Sequence, residues 1–371
     1  MTDQSSSDNS AWLVLSASGL TPARQLALVR ALGDAEAVLG ADDGALLAVE
    51  GIRAQHVSRL RQAQAKVDPA PLAQKLADLG GHILPITDEA YPRLLREIHD
   101  PPPVLYVSGS LSRRDELAVA VVGTRRRSDY GQRVTERITG DLARRGFTIV
   151  SGLALGIDSD AHEAALEAGG RTVAVTACGL DVDYPQQNRE LRGRITQSGA
   201  VVTELSLGTE PLRERFPARN RIIAGLSLGV VVVEAPTESG ALITARLAAE
   251  EGREVFAVPG SIFSPVSRGC HALIRDGVTL VEVAEDVVEG LGILLEATPE
   301  REPAPERERK LAELPGDQRQ VLGALSHEPL SVDAVIARLE LTAAQVTGAL
   351  MLLEVKGLVR RLPGSAYVRI D

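Results

Sequence analysis

The sequence predicts an α/β fold, an extended Rossmann-like doubly wound parallel sheet, with a helical segment before it and a winged-helix module after it. Three observations carry this reading. Short β-branched runs recur between Leu117 and Val258 with amphipathic segments between them, the alternation of a parallel sheet covered on both faces. A charged, Pro-containing stretch, Glu296–Lys310, follows with almost no apolar content, as a solvated linker does. Beyond it lie three capped helical segments and two short strands around Pro363-Gly364.

Taken in order, Ala11 to about Lys66 is helical, with apolar positions at Leu26, Val29 and Leu32 and then Leu46, Leu47 and Val49. Val49-Glu50-Gly51-Ile52, followed by Val57 and Leu60, resembles the hairpin of a helix-hairpin-helix or SAM-like module. A Gly-Ile turn in any small helical bundle reads equally well. Pro69 and Pro71 mark a break, and His82–Ile86 and Val104–Val107 are short strands. Six runs then read as strands: Leu117–Val122, Thr148–Val150, Arg171–Thr176, Ala200–Val202, Gly229–Val233 and Glu254–Val258. Helices fall between them at Gly131–Arg145, Ser159–Ala168, Gln187–Gln197, Arg219–Leu226 and Gly240–Glu251. The last module has helices at Asp317–Leu325, Ser331–Leu339 and Thr342–Glu354, each starting on its N-cap. The expected organisation is a helical domain over 1–78, the Rossmann-like domain over 79–293, a linker over 294–312 and a winged helix over 313–371.

Composition excludes several classes. The chain of 371 residues carries a formal net charge of -10, so a generic basic stripe for nucleic acid is absent. Any anion site must be local, built from backbone amides, helix starts and placed arginines. Only 3% of residues are aromatic, which argues against base stacking on rows of rings. The two cysteines, Cys178 and Cys270, are far apart, so neither a disulfide scaffold nor a metal site is expected. The polar start and the lack of an apolar run of membrane length make a cytoplasmic protein the default expectation.

In doubly wound sheets ligands bind beyond the carboxyl ends of the strands. The first strand ends in Gly123-Thr124-Arg125, with Arg125 where a phosphate would meet the next helix. No G-x-G-x-x-G is present, which disfavours a dinucleotide, and no cofactor is expected. The second strand ends in Ser151-Gly152, ahead of Asp158 and His162, whose spacing permits an acid–base pair. A carboxylate near a helix start more often answers the dipole, and that structural reading is preferred. The third end offers Asn188, and the fourth leads to Arg219-Asn220-Arg221 at a helix start, suited to a polyanion. The fifth places Ser239-Gly240 at another helix start. None of these ends presents a nucleophile–base dyad.

The runs GTRRRSDYG (Gly123–Gly131), SGLALGIDSDAH (Ser151–His162), GLDVDYPQQN (Gly179–Asn188), FPARNRIIAGLS (Phe216–Ser227), VVEAPTESGALITA (Val232–Ala245) and FAVPG (Phe256–Gly260) together resemble the DprA/Smf family. The resemblance covers the whole central domain, in order. It implies a non-enzymatic, homodimeric binder of single-stranded DNA that protects incoming strands and helps load the RecA recombinase in natural transformation, with single-strand-binding protein as a further partner. The family's DNA-binding roles map onto Gly123, Thr124, Arg125, Ser151, Gly152, Asn188, Arg219, Asn220, Arg221, Ser239 and Gly240. Where many relatives carry a lysine before the Asn of the third motif, this sequence has Gln186 and Gln187. Arg189 is the substitute cation there. Replacing Arg125 or Arg219 by Ala is expected to weaken binding with little effect on thermal stability.

Two other readings are kept. One is a nucleoside-monophosphate phosphoribohydrolase on a related core. The usual paired glycines are missing from APTESGALITARLAAE, although it keeps an acid at Glu250. The other is a duplex-DNA regulator acting through the winged helix. From Leu311 onward there are six basic and seven acidic residues, weak support for a major-groove reader.

Overall fold

The computed structural model describes residues 9–292, 314–326, 330–339, 341–356, 358–362 and 366–369. The expected linker at 296–310 and the Pro363-Gly364 turn lie outside the described residues. The chain divides into two compact units between residues 294 and 295.

The first unit opens with helices α1 (Asn9–Ser16), α2 (Pro22–Leu32), α3 (Ala35–Gly40), α4 (Asp43–Leu47), α5 (Ala54–Lys66) and α6 (Pro69–Asp78). Asp34 and Asp42 start α3 and α4 by accepting from Ala37 N and Ala45 N, which meets otherwise orphaned amides. β1 (Gly81–Pro85), the short helix α7 (Arg93–Arg96) and β2 (Val104–Gly109) follow. The alternation then runs β3 (Ala118–Val122), α8 (Asp129–Arg144), β4 (Thr148–Ser151), α9 (Ile157–Glu167), β5 (Thr172–Val175), α10 (Arg189–Ser198), β6 (Ala200–Thr203), α11 (Arg215–Gly225), β7 (Gly229–Val232), α12 (Gly240–Glu250), β8 (Glu254–Ala257), α13 (Arg268–Arg275), β9 (Thr279–Leu280) and α14 (Ala284–Gly290).

These strands form one nine-stranded sheet in the order β1-β2-β6-β5-β4-β3-β7-β8-β9. β3 to β9 are parallel, while β2 runs antiparallel to β6 and β1 antiparallel to β2. The chain leaves β3 toward β4, β5 and β6, then returns through α11 to β7 on the other side of β3. The reversal opens a crevice beyond the carboxyl ends of β3 and β7, where this class of sheet takes ligands.

Residue alternation along each strand divides the core in two. Leu105, Val107, Val173, Val175, Ala200 and Val202 point into one cluster with Ile222, Ile223 and Ala245. Val104, Tyr106, Ala174 and Val201 point into the other, with Leu191 and Ile195 of α10 and with Trp12, Leu15, Leu28 and Leu60 of the leading helices. The helices of residues 9–78 thus share a core with the sheet. The Tyr106 hydroxyl lies 2.5 Å from Ser16 Oγ, and Lys75 pairs with Asp181 at 2.6 Å.

Several boundaries differ from expectation for local reasons. α9 starts at Ile157 because Gly156, at φ 86, turns the chain into it. α11 starts at Arg215 with Pro217 inside its first turn, where the missing N–H costs nothing. A single 3-10 turn, Gln186–Asn188, precedes α10.

The second unit contains α15 (Gly316–Ala324), β10 (Leu330–Ser331), α16 (Val332–Arg338), α17 (Ala343–Val355), β11 (Val359–Leu362) and β12 (Ala366–Arg369). Its sheet order is β10-β12-β11, and Val321, Leu322, Val335, Val346, Leu350 and Leu353 fill its core. Ser331 and Thr342 cap α16 and α17, accepting from Ala334 N and Gln345 N. Asp317 instead lies within α15, which starts after Pro315.

A fragment of residues 79–292 would uncover Val104, Tyr106, Leu191 and Ile195, each worth about 1.5–3 kcal/mol when buried. It is expected to melt well below a chain of residues 9–292 by differential scanning calorimetry. Equal melting temperatures would show that the leading helices do not support the sheet.

Candidate nucleic-acid interface

The crevice at the β3/β7 reversal is a cleft of about 310 Å³. Its walls are Gly123, Thr124 and Arg125 after β3, Ala154 and Asp158 after β4, Phe216, Arg219, Asn220 and Ile223 on α11, and Pro236, Glu238, Ser239, Gly240, Ala241 and Thr244 around the start of α12. A smaller hollow adjoins it, sharing Arg125, Phe216 and Arg219 and adding Gly152, Leu153, Thr176 and Tyr184.

Backbone contact holds the loops together. Thr124 N donates to Glu234 O at 2.7 Å and Ile157 N to Thr124 O at 3.3 Å. A Cβ on Gly123 would meet Ile157 at 2.5 Å, so only glycine lets the β3 loop pass this closely. Thr124 Oγ1 accepts from Arg126 N at 3.2 Å.

The helix starts around the crevice are not equivalent. At α8, Glu234 is buried and its carboxylate accepts from Ser128 N at 2.9 Å and from Ser128 Oγ at 2.6 Å. The start where Arg125 was expected to meet a phosphate is therefore already answered by a protein carboxylate. α9 carries its own Asp158 and Asp160 in the first turn, and Asp160 pairs with Arg127. α12 has no acid in its first turn. Ser239 Oγ accepts from Ala241 N at 3.2 Å, and Asn220 Nδ2 donates to Gly240 O at 3.2 Å. A Cβ on Gly240 would meet nothing within 4 Å, so this start opens into the cleft.

Arg219 is 6% exposed. Its Nη1 donates to Gly152 O at 2.7 Å and also to Val175 O, and its Nε donates to Asn220 Oδ1 at 3.2 Å. Burial lowers its pKa to about 10, with Asp158 acting in the opposite sense, and it stays charged at neutral pH. Burial likewise raises Asp158, against the pull of Arg219. Asp158 accepts from Gly152 N at 3.2 Å. A Cβ on Gly152 would lie 2.6 Å from Arg219 Nη2 and 2.8 Å from Asp158 Oδ2, so both groups close over that glycine.

Two cations lie near the Phe216 ring, with the Arg125 guanidinium carbon 5.1 Å and that of Arg219 5.9 Å from its centroid. Tyr184 adds a tilted ring at 5.8 Å and is 39% exposed. Arg125 is exposed, and among the described residues no carboxylate lies within ion-pair distance of it. Low aromatic content pointed away from stacking, yet the site gathers two rings. Phe216 stood in the sequence only as part of the run before a helix; its place in front of Pro217 and one turn before Asn220 was the available signal.

The structure brings together Gly123, Thr124, Arg125, Arg219, Asn220, Ser239 and Gly240, with Gly152 in the adjoining hollow. Ser151 is buried, its hydroxyl donating to Val121 O at 2.6 Å. Asn188 is buried and donates to Leu153 O and Ser159 Oγ, both at 2.9 Å. Arg189 is an exposed side chain paired with Asp183 at 3.2 Å. Arg221 turns away from the cleft: Glu204 holds its guanidinium at 2.8 and 2.6 Å, and Asp100 at 3.3 Å. Burial pulls its pKa down, but those carboxylates leave it raised. Glu250 sits at the far end of α12 from the cleft and pairs with Arg246. Thr244, not an acid, lines the cleft. His162 is fully buried, with Nδ1 2.6 Å from Thr172 Oγ1, and burial followed by the Arg219 charge lowers its pKa to about 3.

Residues 82–292 match the family described as DNA recombination-mediator protein A, and residues 303–365 match the DprA winged helix domain. Protein Smf of Escherichia coli is 41% identical over 295 residues, covering 78% of this chain and 77% of the relative. The chain belongs to the DprA/Smf family. A putative DNA processing protein DprA of Mycobacterium tuberculosis is 39% identical over 364 residues, covering 94% of this chain and 91% of that one. The X-ray structure of DprA from Streptococcus pneumoniae superposes with a TM-score of 0.65 at 40% identity, covering 76% of this chain and 97% of that chain. DNA processing protein A from Helicobacter pylori, described for its single-stranded DNA binding mode, superposes with a TM-score of 0.52 at 31% identity, covering 57% and 95%. Among the described residues no single helix is long and apolar enough to cross a membrane.

Two outcomes follow from the burial of these groups. Arg219→Ala leaves two buried carbonyls and Asp158 without their cation, and is expected to lower the melting temperature by roughly 6–10 °C, whereas Arg125→Ala leaves it unchanged. Unchanged stability is therefore expected of the exposed arginine, and no longer of the buried one. His162 takes up a proton at its ordinary 6.5 when unfolded and only near 3 when folded. Its contribution is complete above the unfolded value and falls as pH drops below it, by about 1.4 kcal/mol per pH unit. Urea midpoints at pH 7 and pH 5 should fall less in His162→Gln than in the parent.

Proposed function

We propose that the cleft binds single-stranded DNA and that the protein acts as a non-enzymatic recombination mediator. The observation that carries this reading is the Phe216 ring with the Arg125 and Arg219 cations beside it, facing the acid-free start of α12. A half-buried ring with cations near it can meet a base, and stacking of this kind tolerates any sequence. The Ser239 and Gly240 amides ahead of the capped Ala241 N, and the exposed Arg125 guanidinium, suit the adjoining phosphate. The site is rich in binding groups and has no nucleophile beside a base: His162 is buried against Thr172, and the acid invoked for phosphoribohydrolase chemistry is at the other end of α12. Membership of the DprA/Smf family and the likeness to the Helicobacter pylori protein support the same ligand.

In this reading the chain works as a cytoplasmic homodimer that protects incoming strands and helps load RecA in natural transformation, alongside single-strand-binding protein. Gly123, Thr124, Arg125, Asn220, Ser239 and Gly240 form the contact surface, with Arg219 as its buried cation and Gly152 behind it, bonded to Arg219 and Asp158. Ser151, Asn188 and Arg221 support it from within. The winged helix is an accessory module: the outward residues of α17 include Ala344, Thr347, Met351 and Leu352 and no basic side chain among those described, poor equipment for a major groove.

Binding of an oligothymidylate and of a duplex is compared at two salt concentrations. The single strand is expected to bind more tightly, with an affinity that falls as salt rises. Arg125→Ala and Phe216→Ala should each weaken it about tenfold or more, in line with about 1–3 kcal/mol per stacked base, with unchanged melting temperature for Arg125→Ala. A chain ending at residue 292 should keep most of the affinity. Full affinity in both variants, or its loss on removing residues 293–371, contradicts this assignment.

A further inference from the structure

Among the described residues Leu153 is the one non-glycine residue with a positive φ, at 55°. An L-residue is strained there and stays only where its surroundings hold it. Leu153 is 2% exposed and packs into the core shared with the leading helices, so the position needs both a large apolar side chain and a backbone that glycine would adopt more readily. The amide of Asn188, 35 residues away, holds this turn. Its Nδ2 donates to Leu153 O at 2.9 Å and to Ser159 Oγ at 2.9 Å, and Ser159 Oγ donates in turn to Ala154 O at 2.7 Å. The residue just before the turn, Gly152, offers its carbonyl to Arg219 and its N–H to Asp158. The orientation of the Arg219 guanidinium beside Phe216 therefore depends on how the Leu153 turn is set.

We infer that Asn188 is a positioning residue for the cleft: it clamps the strained Leu153 turn so that Gly152 fixes Arg219 under the Phe216 ring. Both of its donor hydrogens are committed to the turn, which leaves none for a phosphate. The inference rests on the reading of the cleft as a single-strand site and assigns Asn188 a role distinct from phosphate or base contact.

The test uses the full chain with Asn188→Ala, Asn188→Asp and Ser159→Ala. Three quantities are read: oligothymidylate affinity at two salt concentrations, amide hydrogen exchange across residues 151–156, and melting temperature. Asn188→Ala is expected to weaken binding about tenfold while the slope of log affinity against log salt stays that of the parent. Exchange at 152–155 should rise. Asn188→Asp, which turns a carboxylate toward the Leu153 carbonyl, should weaken binding further, and Ser159→Ala should act in the same direction with a smaller effect. If the Asn188 variants do not fold, Ser159→Ala alone decides. Unchanged affinity overturns the inference, as does a slope lower by about one with unaltered exchange, which is the signature of a lost phosphate contact. Failure of the parent chain to bind oligothymidylate would instead overturn the reading of the cleft itself.

Discussion

A guanidinium taken out of water at the end of a parallel sheet is costly unless its donors find acceptors, and Arg219 sends its Nη1 and Nε donors to protein oxygens and so joins three segments. It leaves α11, bonds the carbonyls of Gly152 after β4 and Val175 at the end of β5, and lies beside Phe216 from its own helix. The crevice created by the strand-order reversal would be an ordinary gap between loops without it. With it, the loops are cross-braced and a fixed positive charge stands under an aromatic face. A charge already held in place needs no ordering when a polyanion arrives, so less of the binding energy is lost to organisation.

This arrangement explains how a chain of net charge -10 can offer an anion site. The acids are not merely elsewhere; several are consumed at the rim. Glu234 closes the start of α8, Asp160 is paired with Arg127, and Glu204 holds Arg221. The cleft itself is lined by the start of α12, the exposed Arg125 and the buried Arg219, together with two carboxylates, Asp158 beside Arg219 and Glu238 just before the Ser239 cap. The two arginines divide the work. Arg125 is free to reach a phosphate, while Arg219 sets the local field and the geometry of the ring.

The sheet was legible in the sequence because its strands are continuous β-branched runs buried on both faces, such as Ala118–Val122. β9 was not, since both its residues are exposed and two residues carry no period. The leading helices show which side they bury, but periodicity does not say what covers it, and here the cover is the sheet itself through Tyr106 and Val201. In the site, adjacency misled. Arg219, Asn220 and Arg221 are consecutive, yet a helix turns about 100° per residue, which sends Arg221 to Glu204 while its neighbours face the cleft. Asn188 was legible as a polar group at a strand end, whereas its use inside the protein depends on a strained turn at Leu153 that no local pattern announces.

In the proposed binding mode one nucleotide's phosphate meets the start of α12 while its base meets Phe216. A crystal structure of the protein with a short oligothymidylate measures this directly. The expected result is a phosphate within hydrogen-bond reach of the Ser239 and Gly240 amides and of the Arg125 guanidinium, with a base against the Phe216 ring. A strand lying along α17, or phosphates placed away from the β3/β7 crevice, would contradict it.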